Sequence, residues 1–223
     1  MKNKFLILEW IVILIFLVIP PLLVNPGTSA AIANNGKISP YLLLRLIIAI
    51  FLYYQQIYVI KKTPKEQNGK FRKTVLFLSW SAICFGLLMI TQALFQAISL
   101  VLPLKYNETV FDFNLDSKSC IVAFLNLLTG AFYEEVLYRE YLPETMLMFS
   151  RGRKFRSNLS EGLCVVVFAM SHRYLGLLPV LNAFLGGMIL RICRKKSLSI
   201  WTCTIAHFMY NAVLFVFAIL QQK

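Results

Sequence analysis

Apolar residues in this chain are grouped into long runs, and polar residues collect between them. The runs typically contain about 17–25 residues, the length an α-helix needs to cross roughly 30 Å of hydrocarbon. Seven segments can be marked, at positions 5–25, 40–60, 74–103, 119–142, 161–172, 178–193 and 198–220. The pattern predicts an all-α polytopic membrane protein with about seven transmembrane helices, forming a single transmembrane domain over residues 1–223.

The composition and the distribution of charge agree with a lipid bilayer as the solvent. Hydrophobic residues make up 58% of the chain and charged residues only 15%, whereas soluble domains carry about a quarter charged residues. The net charge of +13 is concentrated in the loops 61–73, 150–157 and 191–196, without a nucleic-acid-binding motif. The charge therefore predicts no nucleic-acid partner. It also predicts a cytoplasmic N-terminus, because basic loops stay inside.

Two segments need a separate interpretation. The first apolar run is followed by Ser29–Ala33, which resembles a signal-peptidase site, but the run is long for a signal peptide and contains Glu9. We therefore predict a retained first span. The segment 144–156 mixes apolar and basic residues after Pro143, and we expect it to lie along the cytoplasmic membrane interface.

Several ionisable or polar side chains lie inside the apolar runs. Such residues are costly at membrane depth, and by default they mark a functional site. Three clusters are present, in the stretches EEVLYR, FAMSH and HFMYN, and their polar members are Glu134, Glu135, Arg139, His172, His207 and Asn211. The protein has only two histidines, and both belong to this set.

Helical spacing suggests how the first and third clusters are arranged. Glu135 and Arg139 are four residues apart, so they share a face and can form a charge pair. Glu134 is turned about 100° from Glu135 and need not be neutralised by the same arginine. His207 and Asn211 are again four residues apart and share a face. One carboxylate, two imidazoles and a carboxamide are thus candidates to converge.

The depths of these groups in the membrane agree. At 1.5 Å per residue, Glu134, His207 and His172 lie roughly 12, 15 and 16 Å from the cytoplasmic ends of their spans. The hairpin 161–193 reaches at most roughly 25 Å deep, so its turn near Tyr174–Pro179 is not expected to emerge fully. Irregular backbone at that depth is tolerated beside a watery cavity, which hydrolysis would also need.

The three clusters also resemble the motifs of a known family. EEVLYR is similar to an E-E-x-x-x-R motif, FAMSH to F-x-x-x-H and HFMYN to H-x-x-x-N, in that order. Together they resemble the CPBP family of intramembrane proteases, which contains the CAAX proteases and bacteriocin-processing (Abi) proteins. The resemblance covers residues 119–220, and residues 1–118 are not diagnostic.

The resemblance implies a CAAX-protease-like helical core and an intramembrane endopeptidase that cleaves a peptide or membrane-tethered protein. Glu134 would activate water, helped by Glu135 and oriented by Arg139, and Asn211 would stabilise the oxyanion. His172 and His207 would polarise the water and carbonyl or, with Glu135, bind Zn²⁺. A metal-free mechanism is equally compatible, because the zinc-protease motif H-E-x-x-H is missing.

Within the family, this short basic chain is similar to bacterial members associated with bacteriocin or peptide-toxin gene clusters, streptolysin S among them. That likeness implies a location in the bacterial plasma membrane and a role in leader processing or self-immunity. Two other functions stay open. One is a non-catalytic immunity or scaffolding protein on the same fold. The other is a proton-coupled transporter, which would usually show repeated halves that this sequence lacks.

Overall fold

A computed structural model describes residues 2–24, 40–56, 70–102, 117–149 and 154–221. Within these ranges the chain is helical and contains no strand. The helices, numbered along the chain, are α1 (Lys2–Ile13), α2 (Ile19–Leu23), α3 (Pro40–Gln55), α4 (Lys70–Val101), α5 (Ser117–Glu135), α6 (Leu142–Phe149), α7 (Lys154–Met170), α8 (Leu177–Ser197) and α9 (Ile200–Gln221). Two π-helical segments, Leu14–Val18 and Val136–Tyr141, join α1 to α2 and α5 to α6.

The predicted all-α membrane fold is confirmed. Five helical stretches are long and apolar enough to cross a membrane, namely Phe5–Leu23, Lys73–Val101, Ser117–Met148, Leu177–Ser197 and Ile200–Leu220. Leu42–Gln55 in α3 is a shorter apolar helix, and α7 corresponds to the fifth predicted segment. Many large apolar side chains on these helices are exposed, as expected where lipid rather than water covers the surface.

The helices pack around α5 and α9, which carry two of the three motifs. The rings of Phe132 on α5 and Trp201 on α9 stack with their centroids 4.9 Å apart, and Tyr53 on α3 meets both rings edge-on. Aromatic pairs of this kind contribute about 0.5–1.5 kcal/mol beyond the area they bury. The stack therefore holds α5 against α9 close to Glu134.

The fourth span extends further than the apolar pattern indicated. Helical structure continues through the π-helical segment into α6 and reaches Phe149, so residues 144–149 prolong the span. Lys154 already begins α7, and residues 150–153 lie outside the described ranges. The predicted interfacial segment 144–156 is therefore wrong as a single element. Thr145 is fully buried, which explains why this end of the helix belongs to the bundle.

The hairpin of α7 and α8 turns earlier than predicted. The chain leaves α7 after Met170, forms a short 3-10 turn at Arg173–Leu175 and enters α8 through Gly176. Gly176 has a φ angle of 109°, which an L side chain rarely adopts. The α8 helix contains 21 residues, roughly 32 Å at 1.5 Å per residue, so it is longer than the predicted 25 Å reach.

The first helix is part of the same bundle. The hydroxyl of Tyr141, a fully buried residue, donates a hydrogen bond of 3.0 Å to Oε1 of Glu9. Ile13 and Val18 pack in the hydrophobic cluster that contains Phe132. Residues 29–33, which resemble a signal-peptidase site, lie outside the described residues, and the retention of the first span stays a prediction.

Candidate active site

Glu135 is the centre of a buried charge arrangement. Its side chain has no solvent-exposed surface. Oε2 lies 3.4 Å from Nε of Arg139, so the predicted i,i+4 ion pair is confirmed. Oε1 lies 2.8 Å from Nδ1 of His207 on α9. Because a carboxylate oxygen accepts, Nδ1–H is the donor in this contact, and in the neutral form of the ring Nε2 is then the acceptor nitrogen.

Arg139 is held by an aromatic contact of its guanidinium group and by a hydrogen bond to its backbone carbonyl. Its central carbon lies 3.9 Å from the centroid of the Phe168 ring, a cation–π contact that is strong when desolvated. Arg139 belongs to the π-helical segment, and such segments leave backbone carbonyls without their usual α-helical donors. Nη1 of Arg191 on α8 donates to the carbonyl oxygen of Arg139 at 2.6 Å. The local distortion is thus stabilised by a neighbouring helix.

Glu134 has a different environment from its neighbour. Its side chain is 27% exposed, and Oε2 lies 3.9 Å from Nε2 of His207. Glu134 and Glu135 therefore approach opposite nitrogens of one imidazole ring. The buried carboxylate fixes the orientation of the ring, while the accessible carboxylate faces the nitrogen that stays available as an acceptor.

His172 lies in the turn that follows α7. Its Nδ1 is 2.9 Å from the carbonyl oxygen of Phe168, which makes Nδ1 the donor and leaves Nε2 as an acceptor. The Phe168 ring meets the imidazole edge-on, with centroids 4.9 Å apart. Phe168 also meets the ring of His207 at 6.3 Å. One aromatic side chain therefore contacts both histidines and Arg139.

A cavity of about 270 Å³ opens beside these groups. His172, His207 and Asn211 line it together, whereas Glu134, the third group of the depth argument, is not among the lining residues. Most of the remaining wall is apolar, from Leu88 and Phe95 on α4 to Leu214 on α9. Among the described residues, no side chain hydrogen-bonds the Asn211 carboxamide. The cavity thus combines an apolar wall with a few converging polar groups, as ligand sites commonly do.

Comparison with known proteins covers the part of the chain that holds this site. Residues 116–213, somewhat less than half of the chain, match a family model described as type II CAAX prenyl endopeptidase Rce1-like. The match supports an intramembrane endopeptidase of the general CAAX-protease type, embedded in a membrane and acting on peptides or proteins. No curated protein and no solved structure matches the chain significantly.

The expected zinc ligands of the CAAX-protease segment do not form a metal site in this arrangement. Glu135 contacts Nδ1 of His207, so it lies on the far side of the ring from Nε2 and cannot share a cation with that nitrogen. A carboxylate in this position orients an imidazole instead of completing a donor set. Within the described ranges, no three His, Cys, Asp or Glu side chains are grouped so that they could hold a metal ion.

The sequence analysis missed several polar residues of this CAAX-protease site. Gln92 on α4, Asn182 on α8 and Tyr210 on α9 line the same cavity, and Arg191 supports the π-helical segment. The available signal was a carboxamide inside each of two apolar runs, Gln92 together with Gln96 in one and Asn182 in the other. That signal is weak because an intramembrane Gln or Asn often only bonds helix to helix.

Proposed function

We propose that this protein cleaves a peptide or a membrane-tethered protein segment with a water molecule activated by Glu134. The proposal rests on one observation, the unequal environments of two adjacent carboxylates. Glu135 is buried and contacts both Arg139 and His207, whereas Glu134 is partly exposed and faces Nε2 of His207. Two carboxylates in contrasting environments are the usual arrangement for two separate roles in one reaction.

The proposed reaction begins when Glu134 accepts a proton from water as the water oxygen attacks the carbonyl carbon of the scissile peptide. The C–O bond forms, and the carbonyl π electrons move to the oxygen. Asn211 donates an N–H group to this oxyanion, an interaction that can contribute about 2.7–4 kcal/mol in a preorganised site. The proton held by Glu134 then passes to the leaving nitrogen as the C–N bond breaks.

The two histidines act through their Nε2 atoms in this proposal. Each has its Nδ1 engaged, by Glu135 in one case and by the Phe168 carbonyl in the other. One hydrogen of the attacking water goes to Glu134, so the other can be accepted by one of these Nε2 atoms, which helps to align the water lone pair with the carbonyl carbon. Arg139 is a positioning residue, because it balances the charge of Glu135 and does not reach the reacting atoms.

The family resemblance supports narrower proposals about biology. We propose a bacterial plasma membrane location with the N-terminus in the cytoplasm, and a role in peptide-toxin leader processing or self-immunity. These proposals do not depend on the geometry of the site. Zinc remains a prediction from the resemblance, and no step above is routed through a metal.

The test is a comparison of protein termini in cells that express wild type, Glu134→Gln or Glu9→Gln at equal membrane abundance. Glu9→Gln is the matched control, since it changes a membrane carboxylate in the same way and still accepts the hydrogen bond from Tyr141. We expect new peptide termini with wild type and Glu9→Gln, and none with Glu134→Gln. Identical termini in all three strains would overturn hydrolysis and favour a non-catalytic immunity or scaffolding role.

A further inference from the structure

Three polar side chains from three helices meet on the wall of the cavity. Nδ2 of Asn182 donates to Oε1 of Gln92 and to the hydroxyl of Tyr210, each at 2.8 Å. The Tyr210 hydroxyl donates to Oε1 of Gln92, also at 2.8 Å. The three residues form a closed hydrogen-bonded triangle that connects α4, α8 and α9. All three are half-buried and line the cavity that holds His172 and His207.

The triangle uses only part of its hydrogen-bonding capacity. Both N–H groups of Asn182 and both lone pairs of the Gln92 oxygen are occupied inside it. The carbonyl oxygen of Asn182 and the amino group of Gln92 have no partner among the described residues. Exchanging oxygen and nitrogen in both carboxamides gives the same closed triangle and again leaves one acceptor and one donor. The cavity is therefore lined by an adjacent donor and acceptor, whichever orientation the two carboxamides take.

A peptide group is the complementary ligand. It carries one N–H donor and one C=O acceptor, and burying either without a partner in an apolar cavity is costly. A hydrocarbon chain would leave the two triangle groups unsatisfied, and an ion would meet no charge there. A peptide that enters the apolar cavity needs such a pair, because little water is present to satisfy its backbone.

The position of the triangle along α9 relates it to the reaction site. His207, Tyr210, Asn211 and Leu214 all line the cavity, and they follow the i, i+3, i+4, i+7 spacing of one helix face. Tyr210 lies about 4.5 Å beyond His207 along the helix axis at 1.5 Å per residue. An extended peptide advances about 3.3 Å per residue. If the scissile bond of an extended substrate lies at His207, the peptide group one or two residues further along the substrate therefore lies at the triangle.

We propose that Gln92 and Asn182, bridged by Tyr210, form a subsite that binds one backbone peptide group of the substrate next to the scissile bond. This inference rests on the proposed function, because it assigns a binding site for a peptide substrate. Recognition at this subsite is by backbone rather than by side chain. It requires the substrate to be extended and free of internal hydrogen bonds where it passes the triangle.

The test measures binding without cleavage. The probe is the capped tripeptide acetyl-Leu-Leu-Leu-methylamide, compared with an analogue in which an ester replaces the central amide. Both are titrated against the full chain carrying Glu134→Gln in nanodiscs. The ester lacks an N–H donor and places an oxygen against an acceptor, so we expect it to bind about tenfold more weakly, as the loss of one hydrogen bond implies.

The variants Gln92→Leu and Asn182→Leu, made in the same background, should remove the difference between amide and ester. Gln96→Leu is the matched control, since Gln96 lies one turn further along α4 at an exposed position and does not line the cavity. It should preserve the tenfold difference. Gln92→Glu retains the two internal acceptor contacts but loses the amino group. It should weaken amide binding even if the leucine variants fail to fold.

Equal binding of amide and ester to the Glu134→Gln protein, or no binding of either, would overturn the subsite. A preference that persists in Gln92→Leu and Asn182→Leu at normal abundance would overturn it as well. These outcomes are separate from failure of the proposed function. If Glu134→Gln cells still produce the cleaved termini, the proposed mechanism is wrong. The binding difference between amide and ester would still show whether the subsite exists.

Discussion

Nδ1 of His207 lies 2.8 Å from Oε1 of Glu135, and this contact joins two residues that are 72 positions apart in the chain. The same carboxylate forms an ion pair with Arg139 at 3.4 Å. A single buried group therefore fixes the imidazole of α9 to the helix that carries both glutamates. Glu134, one residue earlier, is left to face the opposite nitrogen of the ring.

This relationship predicts that neutralising the two glutamates has different effects on stability. Glu135→Gln leaves the buried charge of Arg139 without its counter-ion, a type of change that costs about 3–5 kcal/mol. We expect a clear fall in the midpoint of thermal unfolding and loss of activity. Glu134→Gln should lose activity with little change in that midpoint, because its carboxylate is partly exposed and lies 3.9 Å from Nε2 of His207.

The control for this prediction is the double variant Glu135→Gln/Arg139→Met. Removing both charges should restore much of the thermal stability without restoring cleavage, since replacing a buried ion pair by apolar groups is often neutral. An equal loss of stability in Glu134→Gln and Glu135→Gln would contradict the division of roles.

A second prediction concerns the close approach of α7 and α8. A Cβ atom at Gly187 would lie 3.2 Å from both Phe168 Cδ1 and Val165 Cγ1, closer than ordinary van der Waals contact. Gly187→Ala should therefore displace Phe168, which contacts Arg139 and both histidines. We expect a several-fold lower rate of Glu134-dependent cleavage, because small shifts of catalytic groups are costly.

Gly162→Ala is the matched substitution on the same hairpin, because a Cβ there would meet no atom within 4 Å. It should leave the cleavage rate unchanged and stabilise α7 by up to about 1 kcal/mol, the intrinsic helical preference for Ala. A comparable loss of cleavage in both variants would mean that the contact between Gly187 and Phe168 does not position the site.

A third prediction follows from the position of Glu135 behind His207. Treatment of purified protein with 1,10-phenanthroline, followed by dialysis, should leave Glu134-dependent cleavage unchanged, because the expected ligands do not share one face. The measurement is the cleavage rate together with metal content by mass spectrometry. Loss of activity that stoichiometric Zn²⁺ restores would show that a metal participates and that the ligand set must be rearranged.

A fourth prediction concerns orientation. Alkaline phosphatase fused after residue 65 should be inactive and a fusion after residue 223 should be active, because the enzyme folds only outside the cytoplasm. The expected pattern follows from the basic loops, which remain on the cytoplasmic side. The opposite pattern of activities would invert the proposed topology and place the loop 61–73 outside.

The sequence by itself determined the solvent and the helical class, and it supplied the residues that we propose for the reaction. Long apolar runs leave few alternatives to helices in a bilayer, because every backbone polar group must be satisfied internally. The spacing of Glu135 and Arg139 predicted their ion pair, since residues four apart share a helix face. The family match over residues 116–213 covers the stretch that contains all three motifs.

Only the tertiary structure decided how these residues divide their roles. Local periodicity places Glu134 and Glu135 on different faces, but it does not say which face meets His207, because that depends on how α5 and α9 pack. The π-helical segment at Val136–Tyr141 and the triangle of Gln92, Asn182 and Tyr210 likewise arise from contacts between distant helices. Contacts between distant helices produce no periodic pattern in the sequence, so only the three-dimensional structure shows them.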